Sequence, residues 1–153
     1  MIQRIQTLYL ALVAAIIALL FFMPVARITV APELIYDFFT TKVMSSGEQP
    51  EFITWNKMSL ALTVISWLVA IVCIFLYKKR YLQVRLTLVN IVLQLGLLVM
   101  TWLQINSRTN ELEATSQFCL AFCFPLVCII LLWLASRAIL KDIVLLKSYD
   151  RIR

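Results

Sequence analysis

Met58-Ser59-Leu60-Ala61-Leu62-Thr63-Val64-Ile65-Ser66-Trp67-Leu68-Val69-Ala70-Ile71-Val72-Cys73-Ile74-Phe75-Leu76-Tyr77 holds no charged residue in twenty positions, and Lys78-Lys79-Arg80 follows at once. A helix rises about 1.5 Å per residue, so the run is about 30 Å long, the thickness of a bilayer's hydrocarbon core. Outward from it, three more charge-free runs of similar length occur, at 8–26, 86–103 and 118–136. A charge at the centre of a span costs about 2.5–3.5 kcal/mol on the insertion scale, and here the charges fall at the ends. The pattern predicts an all-α membrane protein: four transmembrane helices (8–26, 58–77, 86–103 and 118–136) in an antiparallel bundle, one domain over residues 1–153.

Composition agrees. The chain of 153 residues is 63% hydrophobic with only 14% charged residues, and its mean hydropathy is +0.94; ordinary soluble domains hold about 45–50% apolar residues. A soluble core of this size cannot hide so much apolar surface, and disorder is excluded by the same figures. The net charge of +6 does not point to nucleic acid, because the basic residues flank apolar runs instead of forming a patch on a wet face.

Lys and Arg set the orientation, since basic loops stay cytoplasmic. Arg4, Lys78, Lys79, Arg80, Arg85, Arg137, Lys141, Lys147, Arg151 and Arg153 fall on one side, against Arg27, Lys42, Lys57 and Arg108 on the other. Ten against four places both termini in the cytoplasm, with loop 27–57 outside, in the periplasm of a bacterium, and tail 137–153 inside. The first run is too long for a signal-peptide core and ends in Met23-Pro24-Val25-Ala26, a poor cleavage site, so it is expected to remain as an anchor. Lys78, Lys79, Arg80 and Arg85 are candidates for lipid headgroup contact and for fixing topology.

Within the spans, residues every three or four positions form stripes. Ser59, Thr63, Ser66, Ala70 and Cys73 make a seam of small side chains on the second span, and Thr87, Asn90, Gln94 and Thr101, ending in Gln104, make a polar stripe on the third. Small residues let helices approach closely in lipid and amides bond across the gap, so these seams are expected to face each other. The short link Lys78–Arg85 makes the two spans antiparallel neighbours. The first span carries a stripe of Thr7, Ala11, Ala14 and Ala18, and Pro125 should kink the fourth, since it cannot donate to the carbonyl of Ala121.

Loop 27–57 alternates strand-prone runs with turn residues: Arg27–Ala31, Leu34–Met44 and Phe52–Trp55, with Ser45-Ser46-Gly47-Glu48-Gln49-Pro50 as a turn. It predicts a small β-hairpin or sheet, on which Phe38, Phe39 and Trp55 either anchor a partner or rest on the headgroups.

Catalysis finds no support. There is no histidine, and every carboxylate lies in a loop or the tail. Cys73, Cys119, Cys123 and Cys128 lie inside apolar runs, where thiols pack as small hydrophobes, so neither disulfides nor a metal centre is expected, and no cofactor. No span holds an ionisable residue of the kind that couples ions in a transporter.

Three stretches carry a resemblance: Met1-Ile2-Gln3-Arg4-Ile5-Gln6-Thr7-Leu8-Tyr9-Leu10; Lys78-Lys79-Arg80-Tyr81-Leu82-Gln83-Val84-Arg85-Leu86; and, in the tail, Arg137-Ala138-Ile139, Lys141-Asp142 and Asp150-Arg151-Ile152-Arg153. The chain resembles the Bacteroidetes membrane family called domain of unknown function 4293, over essentially its whole length. That resemblance implies a four-helix inner-membrane protein and places no catalytic residue. The expectation that remains is a non-catalytic accessory or scaffold subunit of an envelope complex, with the lipid bilayer and a membrane or periplasmic protein as partners. The alternative is a small channel or transporter for a neutral solute, using the polar stripe of the third span; a homo-oligomer would supply the room that a single copy lacks.

Overall fold

The computed structural model describes residues 2–31, 34–45, 52–76 and 79–150, with side chains over 5–30, 35–45, 54–76 and 79–145. The turn expected at 45–50, the side chain of Lys78 and the end of the tail lie largely or wholly outside these ranges. Four helices make up most of the chain: α1 (Ile2–Leu19), α2 (Lys57–Phe75), α3 (Arg80–Glu111) and α4 (Phe124–Asp150). Each packs on its neighbour in sequence, and α4 closes against α1. Three are long and apolar enough to cross a membrane, whereas the apolar part of the first helix, Ile5–Leu19, is shorter.

Beyond one end of the helices lies an antiparallel sheet of five strands: β1 (Pro24–Ala31), β2 (Leu34–Phe39), β3 (Lys42–Ser45), β4 (Phe52–Trp55) and β5 (Thr115–Phe118), in the order β4-β3-β2-β1-β5. The first four come from the loop read as strand-prone. The fifth comes from the α3–α4 connection and pairs with β1, Ala26 opposite Phe118 and Thr29 opposite Thr115.

Three spans have other limits than expected. The first does not run to Ala26. After Leu19 the chain tightens, with Phe21 N–H donating to Ala18 and Phe22 N–H to Leu19, and from Pro24 it is extended. Proline lacks the donor a helix needs and biases its predecessor towards extended geometry. The third helix overruns its predicted 86–103 at both ends. It stops in a Schellman-type turn: Glu113 takes φ 47° and Ala114 N–H reaches back to Thr109 O at 3.0 Å, turning the chain into β5. The fourth begins later than Phe118, which is in β5.

Pro125 does not kink α4. It is the second residue of the helix, directly after a 3-10 turn over Leu120–Cys123. The carbonyl of Ala121, which Pro125 cannot serve, accepts from Phe124 N–H instead, so the proline sits where a missing donor costs least. The void beside it, about 10 Å³, is lined by residues including Leu97 and Thr101, room for one water at most.

Two apolar clusters fill the interior. One lies among the helices, with Leu10, Val13, Ile17, Cys73, Cys128 and Leu132. The other lies between sheet and helix ends, with Val25, Ile28, Phe38, Val43, Leu97 and Ile105. The buried face of α1 is therefore Gln6, Leu10, Val13 and Ile17, not the stripe of small residues, whose Ala11 is exposed.

Candidate functional site

The second and third helices meet along the two seams. Ser59, Thr63, Ser66, Ala70 and Cys73 of α2 and Thr87, Asn90, Gln94 and Thr101 of α3 are all buried. At the centre, Gln94 Nε2 donates to Ser66 Oγ at 2.9 Å, and the Ser66 hydroxyl donates to Asn90 Oδ1. Towards the sheet, Ser59 Oγ donates to Gln104 Oε1 at 2.8 Å. Towards the other end, Gln83 Nε2 donates to the carbonyl of Cys73 at 3.1 Å. Thr63 and Thr101 lie in the interface but bond back along their own helices, to Ser59 O and Leu97 O. They let the helices approach and contribute no bond across. Asn90 Nδ2 and Gln94 Oε1 are buried with no hydrogen-bond partner.

The basic end differs from its sequence reading. Arg80, a candidate headgroup contact, turns inward: its Nη1 lies 2.7 Å from Asp142 Oδ2, with the two side chains only 20% and 13% exposed. The pair bolts the start of α3 to α4. Lys79 and Arg85 remain exposed, and Arg137 lies with its guanidinium 4.7 Å from the ring centre of Trp133, one turn earlier on α4, a cation–π contact. Gln6 Nε2 donates to Ala138 O at 3.0 Å, holding α1 to α4 near the same level.

The three aromatic anchor candidates separate. Phe38 is fully buried in the outer cluster and offers no partner surface. Successive strand residues point to opposite faces, and Phe38 lies on the face that packs in the cluster with Leu97 and Ile105 of α3. Phe39 is half-buried, with Lys42 Nζ 5.8 Å from its ring centre. Trp55 is 54% exposed, on edge strand β4.

Sequence reasoning missed Asn56. This buried residue precedes α2; its Nδ2 donates to Phe39 O at 3.0 Å and its backbone N–H to Thr41 O at 2.9 Å, tying the sheet to the helix. An asparagine immediately before an apolar helical run was the available signal. On the outer sheet face, Arg27 Nε lies 3.1 Å from Asp37 Oδ1, an exposed cross-strand pair. Among the described residues, no group of three His, Cys, Asp or Glu side chains could hold a metal ion.

The pattern of a protein family described as Domain of unknown function (DUF4293) matches residues 2–152. The chain belongs to that family. No curated protein matches it. For this DUF4293 member the apolar helices suggest a membrane protein, and most of the buried polar side chains among the described residues lie in the seam between α2 and α3.

Proposed function

We propose that this chain is a non-catalytic accessory or scaffold subunit of an envelope complex in a bacterial inner membrane, of the Bacteroidetes, crossing it four times with both termini in the cytoplasm. The fourth crossing is assigned to α1, whose apolar part, Ile5–Leu19, is short for a span but packs level with α4 through Gln6 and Ala138. The ten basic residues counted above then lie at the cytoplasmic end and the sheet outside.

The observation that carries the reading is how the polar groups are spent. Ser59, Ser66, Gln83, Gln94 and Gln104 hold α2 to α3, while the sheet leaves strand β4 paired on one side only and Trp55 exposed beside it. An edge strand with an aromatic anchor is a surface for strand addition or docking. A second reading, passage of a neutral solute, draws on Asn90 Nδ2 and Gln94 Oε1, buried without partners.

The test is extraction of C-terminally tagged protein from native membranes in mild detergent, with mass spectrometry of what co-purifies. The scaffold reading expects a stoichiometric partner that is lost in Trp55→Ser. A chain that emerges alone, or only with copies of itself, counts against it. Solute flux in reconstituted vesicles, abolished by Asn90→Leu, would replace it with the channel.

A further inference from the structure

The face of α3 turned to the sheet runs Thr101, Ile105, Arg108 and Leu112, spaced three or four residues apart. Thr101 and Ile105 are buried. One turn further, helix and sheet part to leave a half-enclosed cavity of about 140 Å³ lined by Ile28, Tyr36, Phe38, Val43, Arg108 and Leu112. Four of these are aliphatic or phenyl side chains belonging to the walls, and Ile28, Phe38 and Val43 are themselves buried. An apolar hollow of about 150 Å³ in another protein stays dry and takes up benzene, so this volume fits a ring or a branched chain of about six carbons.

The other two lining residues carry polar groups: Arg108, which is exposed, and Tyr36, which is half-buried. No ion pair or hydrogen bond engages either side chain among the described residues. Asp37, the acid nearest on the sheet, is taken by Arg27 on the opposite face, and the Glu111 carboxylate lies 3.5 Å from Ser107 Oγ. As a cation in the last turn of α3, Arg108 also complements the helix dipole. A dipole does not require the position in the stripe that faces the sheet, where an apolar residue would close the gap. Arg108 occupies that position and the gap stays open.

We propose that this cavity is a binding site for a small monocarboxylate with an apolar group of about six carbons, the carboxylate held by Arg108 and Tyr36 and the apolar part among Ile28, Phe38, Val43 and Leu112. A planar guanidinium meets a carboxylate through two parallel N–H···O bonds, and the phenol adds a third donor. The size limits what the cavity encloses: ordinary ligand pockets run to about 300–1,000 Å³, so only a group of about six carbons is taken inside. The inference does not depend on the scaffold reading or on topology.

Phenylacetate is the probe, and phenylacetamide, of the same shape without the charge, its control. Both are titrated calorimetrically into the full chain in phosphatidylcholine nanodiscs, with empty nanodiscs subtracted to remove partitioning. The site predicts one saturable event for the acid and binding at least about tenfold weaker for the amide, since hydrogen bonds to charged groups contribute about 1.5–3 kcal/mol. Arg108→Gln, at an exposed position that leaves the apolar core intact, removes the preference for the acid; Tyr36→Phe weakens the acid about two- to fivefold. Equal binding of acid and amide, an acid preference surviving in Arg108→Gln, or heats no larger than those of empty nanodiscs would each overturn the assignment.

Discussion

Between α2 and α3, side chains at Ser66, Asn90 and Gln94 are buried and joined by hydrogen bonds. Between the sheet and the outer end of α3, the contact is made by Ile28, Phe38, Val43 and Ile105, and no side-chain hydrogen bond crosses it among the described residues. The two junctions share a helix and use opposite chemistry. In lipid, packing one apolar side chain on another removes nothing from water, so helices gain specificity from close approach and amide bonds. In water, burial of a phenyl ring is the larger force. The change from one to the other is made on a single helix, with Asn90, Gln94 and Gln104 turned to α2 and Leu97 and Ile105 packed in the cluster beside the sheet.

The comparison makes quantitative predictions. Phe38→Ala should cost most, about 3–5 kcal/mol, because it leaves a cavity at the centre of the junction between sheet and α3; thermal unfolding in detergent measures it, and a loss under about 1 kcal/mol would mean that burial does not hold the sheet. Asp142→Asn leaves the largely buried Arg80 without its counter-ion and should cost about 3 kcal/mol, with most of the loss recovered when Arg80→Met and Asp142→Leu are combined. The double variant distinguishes an unpaired charge from lost packing. Ser66→Ala unlinks both amides and should cost about 1–2 kcal/mol, the smallest effect, since polar contacts inside membranes contribute less than their burial suggests. If it exceeded Phe38→Ala, the division between the junctions would be reversed.

The seam between α2 and α3 was legible because its spacing is a property of one helix at a time: Ser59, Thr63 and Ser66 repeat at helical intervals whatever they face. The strands of loop 27–57 were legible through runs such as Arg27–Ala31. The end of α1 was not, because Leu20–Val25 contains no charge and hydropathy does not separate an apolar helix from an apolar strand; Pro24 was the only mark. The inward turn of Phe38 depended on register, since either of two adjacent phenylalanines could have faced in. Strand β5 is four residues long and alternates too briefly to be read. Arg80 and Asp142 are distant in sequence, and a basic cluster gives no sign of which member turns inward. Arg108 was counted for orientation, and its cavity needs both the sheet and α3 to exist.

The pairing of β5 with β1 has a consequence for how the protein is made. When the ribosome has delivered β1 to β4, the sheet has four strands and β1 keeps an open edge, a template for mispairing. That edge is closed only after α2, α3 and the turn at Glu113 have followed. Synthesis therefore leaves an interval in which the sheet has an open edge at β1 as well as at β4, and the interval ends when the last connection before α4 emerges.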